Sequence, residues 1–318
     1  MEMLKQLSLA GLVPVIRVEN ANDAVPLCAA LRDGGLPVAE ITFRSDAAAE
    51  AIRRVHDALP DVLLGAGTVL AREQGDAALQ AGAAYIVSPG LNRNIVRYCQ
   101  DKGVPVVPGC ANASDIEAAL EEGLDTVKFF PAEVLGGVKM LKALSAPYGG
   151  IRFLPTGGVN ENNLNDYLAL PQVVACGGSW MVPGDAVAAG DWARVTRLTR
   201  SAVALMLGLE VKHVGINTEN EAEARRVAGL LSVMLDWPTS ETAAAVWVKD
   251  GFEVMKAPFK GKMGHVAIGC NNIFRARWHL EKRGFAFDDD SVIMQNGRVK
   301  ALYMKDEIAG FSFHLAQK

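Results

Sequence analysis

Lys128 stands between Val127 and the pair Phe129-Phe130. In so apolar a wall the ammonium form is disfavoured, and a neutral amine can attack a carbonyl carbon. The same residue is also satisfied if its ammonium snorkels to a rim or pairs with Glu40. Glu40, Thr42 and Arg44 are spaced by two, so a strand there presents a carboxylate, a hydroxyl and a guanidinium on one face. Glycine pairs close two later apolar runs, in Thr156-Gly157-Gly158 and Gly177-Gly178-Ser179-Trp180. Such pairs let backbone N–H groups approach an anion such as phosphate, and they also relieve crowding in tight turns.

These residues need a scaffold that brings them together. From Val13 to about Leu207 the chain repeats one unit: a short β-branched apolar run, a Gly/Pro-rich turn, and an amphipathic segment rich in Ala and Leu. The runs start at Val13, Val38, Val62, Ala84, Val104, Thr126, Ile151 and Val173, which makes eight. Asn22-Asp23 and Ser114-Asp115 read as helix starts. Strands alternating with helices require parallel pairing with right-handed crossovers. Eight units in roughly 200 residues predict an α/β fold, a closed (β/α)8 TIM barrel, whose C-terminal strand ends carry the chemistry. An open doubly wound sheet is the alternative, but no G-x-G-x-x-G follows the first run. Phosphate commonly binds after the last two barrel strands, which is where the two glycine pairs fall.

The helix starting near Asp191 ends around Gly208, and the pattern then changes. A strand (KHVGINT), a helix over 221–235 and two strands (AAAVWVKD, FEVMKAPF) are followed by a second such series: GHVAIGC, a helix over 273–283, SVIMQN, ALYMK and GFSFHLAQK. This predicts a second, α+β domain of duplicated βαββ(β) modules. The domain limits expected are 1–208 and 209–318.

Composition narrows the function. Half of the 318 residues are hydrophobic and 31 are glycine, which fits a well-buried α/β protein. A net charge of −4 with no basic run argues against a nucleic-acid groove or a membrane-surface patch, so a small molecule is the expected partner. The five cysteines, Cys28, Cys99, Cys110, Cys176 and Cys270, are scattered and never in a C-x-x-C pair, which predicts free thiols in a reducing compartment. The N-terminus makes a poor signal peptide, and no apolar run approaches ~18 residues. A soluble cytoplasmic protein is the expectation. His56, in a predicted surface helix, is read as solvated.

The strings AEITFR, GAGTV, SPG, VKFFPAE, PTGG and GGSW, in this order and spacing, closely resemble the family of 2-keto-3-deoxy-6-phosphogluconate (KDPG) and 4-hydroxy-2-oxoglutarate (KHG) aldolases over residues 10 to about 207. The resemblance implies a Schiff-base aldolase with Lys128 as nucleophile and Glu40 as acid/base. It implies pyruvate-carboxylate contacts at Arg44 and Thr68 and phosphate contacts at Gly157, Gly158, Gly178 and Ser179. Further substrate contacts are implied at Pro89, Phe130 and Thr156. No cofactor is implied for this half, and the implied assembly is a homotrimer. The galactonate-derived isomer of the substrate, or another phosphate-binding barrel chemistry, is the alternative.

Residues 211–318 resemble the vicinal oxygen chelate superfamily, to which glyoxalases belong, on KHVGI, FEVMK, GHVAI and FHLAQ. There the first and last strands of each module supply metal ligands, which selects His213, Glu253, His265 and His314. Such a set suits a divalent metal such as Fe(II), Mn(II), Ni(II) or Zn(II). A histidine on the final strand, in place of the more usual glutamate, departs from that pattern. Duplication alone also explains the two first-strand histidines, and a role in assembly or ligand sensing is the alternative.

Overall fold

The computed structural model describes residues 2–318, which divide into two compact units, one ending at Met206 and one spanning Leu207–Lys318. The first unit holds strands β1 (Leu12–Ile16), β2 (Val38–Thr42), β3 (Leu63–Gly67), β4 (Tyr85–Val87), β5 (Val106–Val107), β6 (Gly109–Cys110), β7 (Thr126–Phe129), β8 (Arg152–Pro155) and β9 (Cys176–Gly178). All their pairings are parallel. One sheet runs β5-β4-β3-β2-β1-β9 and another β6-β7-β8. β5 and β6 are the fifth predicted run, split at Pro108, which has no N–H to give the ladder. Its carbonyl still accepts from Lys128 N at 2.8 Å, and bridges Phe153–Val173 and Thr156–Gly177 join β8 to β9. The sheets thus close into an eight-stranded, TIM-barrel-like cylinder.

The helices between the strands bury one stripe each. In Ala48–Ala58 the buried positions are Ala48, Ala51, Ile52 and Val55, spaced three and four apart as a core-facing helix requires. The helix Ala113–Glu121 starts two residues before the predicted Asp115. Asn112 is its cap, accepting from Asp115 N at 3.0 Å, while the Asp115 carboxylate reaches back to Ala111 N at 2.8 Å. The Asp115 N–H, which helix geometry leaves without a partner, and the N–H of the residue before the cap are satisfied at once.

Inside the barrel, register decides what fits. Glu40 pairs with Gly65, and Gly65 with Tyr85, so the three form one row across β2, β3 and β4. A Cβ on Gly65 would lie 2.2 Å from the Tyr85 ring, and one on Gly67 would lie 2.2 Å from Glu40 Oε1. Both glycines are space for a neighbour's side chain.

The second unit is one eight-stranded sheet in the order β11-β12-β13-β10-β14-β17-β16-β15. Its strands are β10 (Glu210–Asn217), β11 (Thr239–Glu241), β12 (Ala245–Val248), β13 (Phe252–Met255), β14 (Gly264–Cys270), β15 (Ile293–Gln295), β16 (Arg298–Ile308) and β17 (Phe311–Gln317). Helices Glu221–Leu235 and Ile273–Glu281 follow β10 and β14. Central β10 and β14 are antiparallel, each with a parallel neighbour (β13, β17) followed outward by antiparallel strands. β11 lies outside the predicted strands: all three of its residues are exposed, so it has no apolar alternation to read. All five cysteines are free and buried, and no helix among the described residues is long and apolar enough to cross a membrane.

The Gly65 packing makes a stability prediction. Gly65→Ala overpacks the row and is expected to lower unfolding stability by about 1–3 kcal/mol. Urea denaturation would show this, and an unchanged midpoint would mean that the Tyr85 ring moves aside at no cost.

Candidate active site

Lys128 and Glu40 are both buried, 5 % and 0 % exposed, and face each other across the bore from β7 and β2. Lys128 Nζ donates to Glu40 Oε1 at 3.3 Å. The lysine therefore does not reach solvent; it takes the paired arrangement, and its nitrogen also lies 5.3 Å from the centre of the Phe130 ring. The geometry suits proton transfer between the two groups and attack by nitrogen on a carbonyl set between them.

Above Glu40 on β2, the Thr42 hydroxyl donates to Ile16 O at 2.8 Å and accepts from Arg44 Nε at 3.2 Å. The exposed Arg44 is thereby held at the mouth. Arg44 and Ser179 line one cavity of about 350 Å3, together with Arg17 and Glu19. Arg17 and Glu19 form an exposed ion pair at 2.7 Å, a charged feature of the cavity that the motifs do not single out. Its one sequence signal is a basic residue near the end of the otherwise apolar run VPVIRV. Lys128 and Glu40 do not line this cavity: Glu40 sits inside β2, four residues before Arg44, which lies beyond the strand's end.

The loops at the mouth are tied to one another. After β7 a cis peptide joins Phe130 to Pro131, and the next N–H groups, of Ala132 and Glu133, donate to the carbonyls of Thr156 and Gly157 at 2.8 and 3.0 Å. The Glu133 carboxylate accepts from the Tyr167 hydroxyl, and a Cβ on Gly158 would strike the Glu133 side chain at 2.6 Å. Gly157 and Gly158 have φ of 96° and 85°, which favour glycine. A Cβ on Gly177 would meet Thr156 Oγ1 at 2.4 Å, and one on Gly178 the Trp180 ring at 1.9 Å. Crowding therefore accounts for all four glycines locally, and Gly158 and Ser179 are the exposed members of their strings. Thr68, just past β3, has φ of 58°, a strained conformation for a β-branched residue. The Pro89 carbonyl lies 2.0 Å from where a Gly109 Cβ would be, and Gly109 is the register partner of Lys128.

In the second unit His213, Glu253 and His265 converge. His213 Nε2 and His265 Nε2 are 3.3 Å apart, and Glu253 Oε2 is 3.5 and 3.0 Å from them. With metal–ligand bonds of about 2.1 Å, donors of a tetrahedral or octahedral centre lie roughly 3.0–3.4 Å apart, so this donor set fits a divalent ion. Two rungs of the sheet build it. Glu253, Gly215 and His265 form one, and the His265 ring lies where a Gly215 Cβ would be, at 2.0 Å. His213, Ala267, His314 and Tyr303 form the next. His314 stands outside the tight trio, its ring 5.4 and 5.7 Å from those of His265 and His213 and 4.6 Å from that of Tyr303. Burial, then the neighbouring His265 and His213, push His314 down to about 3. Burial also lowers His213, against the pull of Glu253. The Nδ1 atoms of His265 and His314 are buried with no hydrogen-bond partner among the described residues.

The barrel sequence has close relatives. A 2-dehydro-3-deoxy-phosphogluconate aldolase of Treponema pallidum is 50 % identical over 204 residues, covering 64 % of this chain and 97 % of the relative. The KHG/KDPG aldolase of Escherichia coli K12 is 43 % identical over 197 residues, 62 % of this chain and 92 % of the relative. The crystal structure of a KDPG aldolase from Legionella pneumophila, with pyruvate captured as a covalent carbinolamine, matches with a TM-score of 0.60 at 38 % identity, covering 62 % of this chain and 97 % of that one. Residues 3–198 match the family described as KDPG and KHG aldolase, and the chain belongs to that family.

Proposed function

We propose that this protein is a class I aldolase that cleaves 2-keto-3-deoxy-6-phosphogluconate to pyruvate and glyceraldehyde 3-phosphate, and that it also takes 4-hydroxy-2-oxoglutarate, giving pyruvate and glyoxylate. The observation that carries the reading is the buried Lys128 amine 3.3 Å from the Glu40 carboxylate, in a chain of this family. Lys128 Nζ adds to the keto carbon, and loss of water gives a protonated imine. Glu40, through a water, takes the proton of the C4 hydroxyl as the C3–C4 bond breaks. The bonding electrons pass into the imine to form an enamine, and the aldehyde leaves. Glu40 then returns the proton to C3, and hydrolysis frees pyruvate and the lysine.

Arg44 and Thr68 hold the carboxylate in this reading, with Pro89, Phe130 and Thr156 shaping the pocket around the keto acid. Gly157, Gly158, Gly178 and Ser179 take the phosphate. The KDPG aldolase of Zymomonas mobilis, solved with 3-phosphoglycerate, matches this barrel at 38 % identity and a TM-score of 0.60, which supports a phosphorylated substrate. A homotrimer in the cytoplasm is part of the same reading, on family likeness alone. Residues 1–208 are the aldolase domain in this reading, and 209–318 a glyoxalase-like domain of duplicated modules.

For that second domain the proposal is a divalent metal held by His213, Glu253 and His265, with His314 beside them. The trio's spacing and the matching strand order of the two halves support it. Bound there, the ion would supply Lewis acidity towards an oxygen ligand.

Three outcomes are expected. Borohydride with pyruvate adds a pyruvyl mass to Lys128, and Lys128→Ala loses both the adduct and turnover; full activity in that variant would end the Schiff-base reading. Glu40→Gln still forms the imine, while turnover falls about 10²–10⁴-fold. Equal loss of both would give Glu40 another job. Protein purified without a His tag carries about one divalent ion per chain by elemental analysis, and His265→Ala loses it; a metal-free preparation that does not melt later on addition of Zn(II) or Mn(II) would rule the site out.

A further inference from the structure

The barrel buries a second ionisable group beside the proposed acid/base that the reaction above does not use. Tyr85 is completely buried, and its hydroxyl has no hydrogen-bond partner among the described residues. The same holds for the second oxygen of Glu40, Oε2. The two side chains belong to one row, Glu40, Gly65, Tyr85, across adjacent strands. Because Gly65 has no Cβ, the Tyr85 ring lies across it, with Cε2 and Cζ each 2.2 Å from where that atom would be, towards the carboxylate's strand. Burial, and then the charge of Glu40, raise the phenol well above its ordinary range.

A phenylalanine would fill this space with nothing to satisfy, whereas a buried hydroxyl without a partner is costly. Two such polar atoms, on β2 and β4 with only the bare Gly65 of β3 between them, are what a buried water needs, since it takes two to four polar partners. Glu40 gives the hydroxyl a purpose. Its Oε1 is held by Lys128 and sits against Gly67, but rotation about the last side-chain bond is soft unless Oε2 is also held.

We infer that Tyr85 is a positioning residue for Glu40: its hydroxyl, through one buried water, holds Oε2 and so keeps Oε1 turned towards Lys128 and the reacting carbon. This rests on the proton-transfer role proposed for Glu40. It separates two steps of the reaction. Imine formation depends on Lys128, whereas the exchange of protons at the pyruvate methyl needs the carboxylate in register with that carbon.

The test is Tyr85→Phe in the full chain, with two readouts on pyruvate. Borohydride trapping at Lys128 reports the imine, and loss of the methyl proton signal in heavy water reports proton transfer by Glu40. Trapping is expected at the wild-type rate, while exchange and the kcat for cleavage fall at least about tenfold and KM changes less than about twofold. Wild-type exchange in the variant would overturn the inference, as would a parallel fall of trapping and exchange, which marks a residue that only holds the barrel. A variant that melts higher than wild type would show that the hydroxyl has no partner at all, and would also overturn it. Failure of the underlying reading looks different: trapping away from Lys128 in the wild type, or unimpaired exchange in Glu40→Gln.

Discussion

The barrel is organised around one contact, an amine and a carboxylate facing each other inside a wall of apolar strands. Taking two such groups out of water costs several kcal/mol each, and their attraction offsets this only when geometry is close. Lys128 and Glu40 lie 88 residues apart in sequence and meet at 3.3 Å. No local element can hold them; only closure of the sheet across its bore does so. The ladder that places Lys128 includes the Pro108 carbonyl, so even the break in the fifth strand serves the lysine's position. The contact exists only in a closed cylinder, since in an open sheet β2 and β7 would be far apart.

Space for side chains inside the barrel comes from glycines. Gly65 admits the Tyr85 ring, Gly67 admits the Glu40 carboxylate, Gly177 admits Thr156 and Gly178 admits Trp180. The second unit uses the same device at Gly215, over which the His265 ring lies. In both units a residue without a side chain lets a neighbour's side chain lie against the sheet. Interiors are packed closely enough that one methyl group there must displace something. At these positions the absent side chain is thus the space that a neighbour's side chain fills.

The strand and helix alternation was legible because burial on both faces of a parallel sheet forces continuous apolar runs, and helix stripes force their three-and-four spacing. VKFFPAE and AEITFR marked Lys128 and Glu40, as a charged residue inside an apolar run is conspicuous. What the sequence concealed depends on register. That Tyr85 shares a row with Glu40, or that Arg17 shares a cavity with Arg44, follows from which residues stand opposite each other on neighbouring strands, and no spacing within one run encodes that. The strand at Thr239–Glu241 was hidden for another reason: an exposed edge needs no hydrophobic pattern.

Register also sets the character of the second cluster. On the duplicated-module reading, His213 corresponds to His265, and Glu253 to His314, each pair standing on equivalent strands about the central antiparallel pair. A carboxylate in both outer positions would bring two negative charges to the centre. With His314 there is one, and this imidazole, buried against the Tyr303 ring and pushed down to about 3, stays neutral at physiological pH. A divalent ion on this set would keep a net positive charge and attract an anionic oxygen ligand more strongly than the two-carboxylate arrangement would. On that reading the histidine on the final strand lowers the negative charge around the trio of His213, Glu253 and His265, beside which it stands.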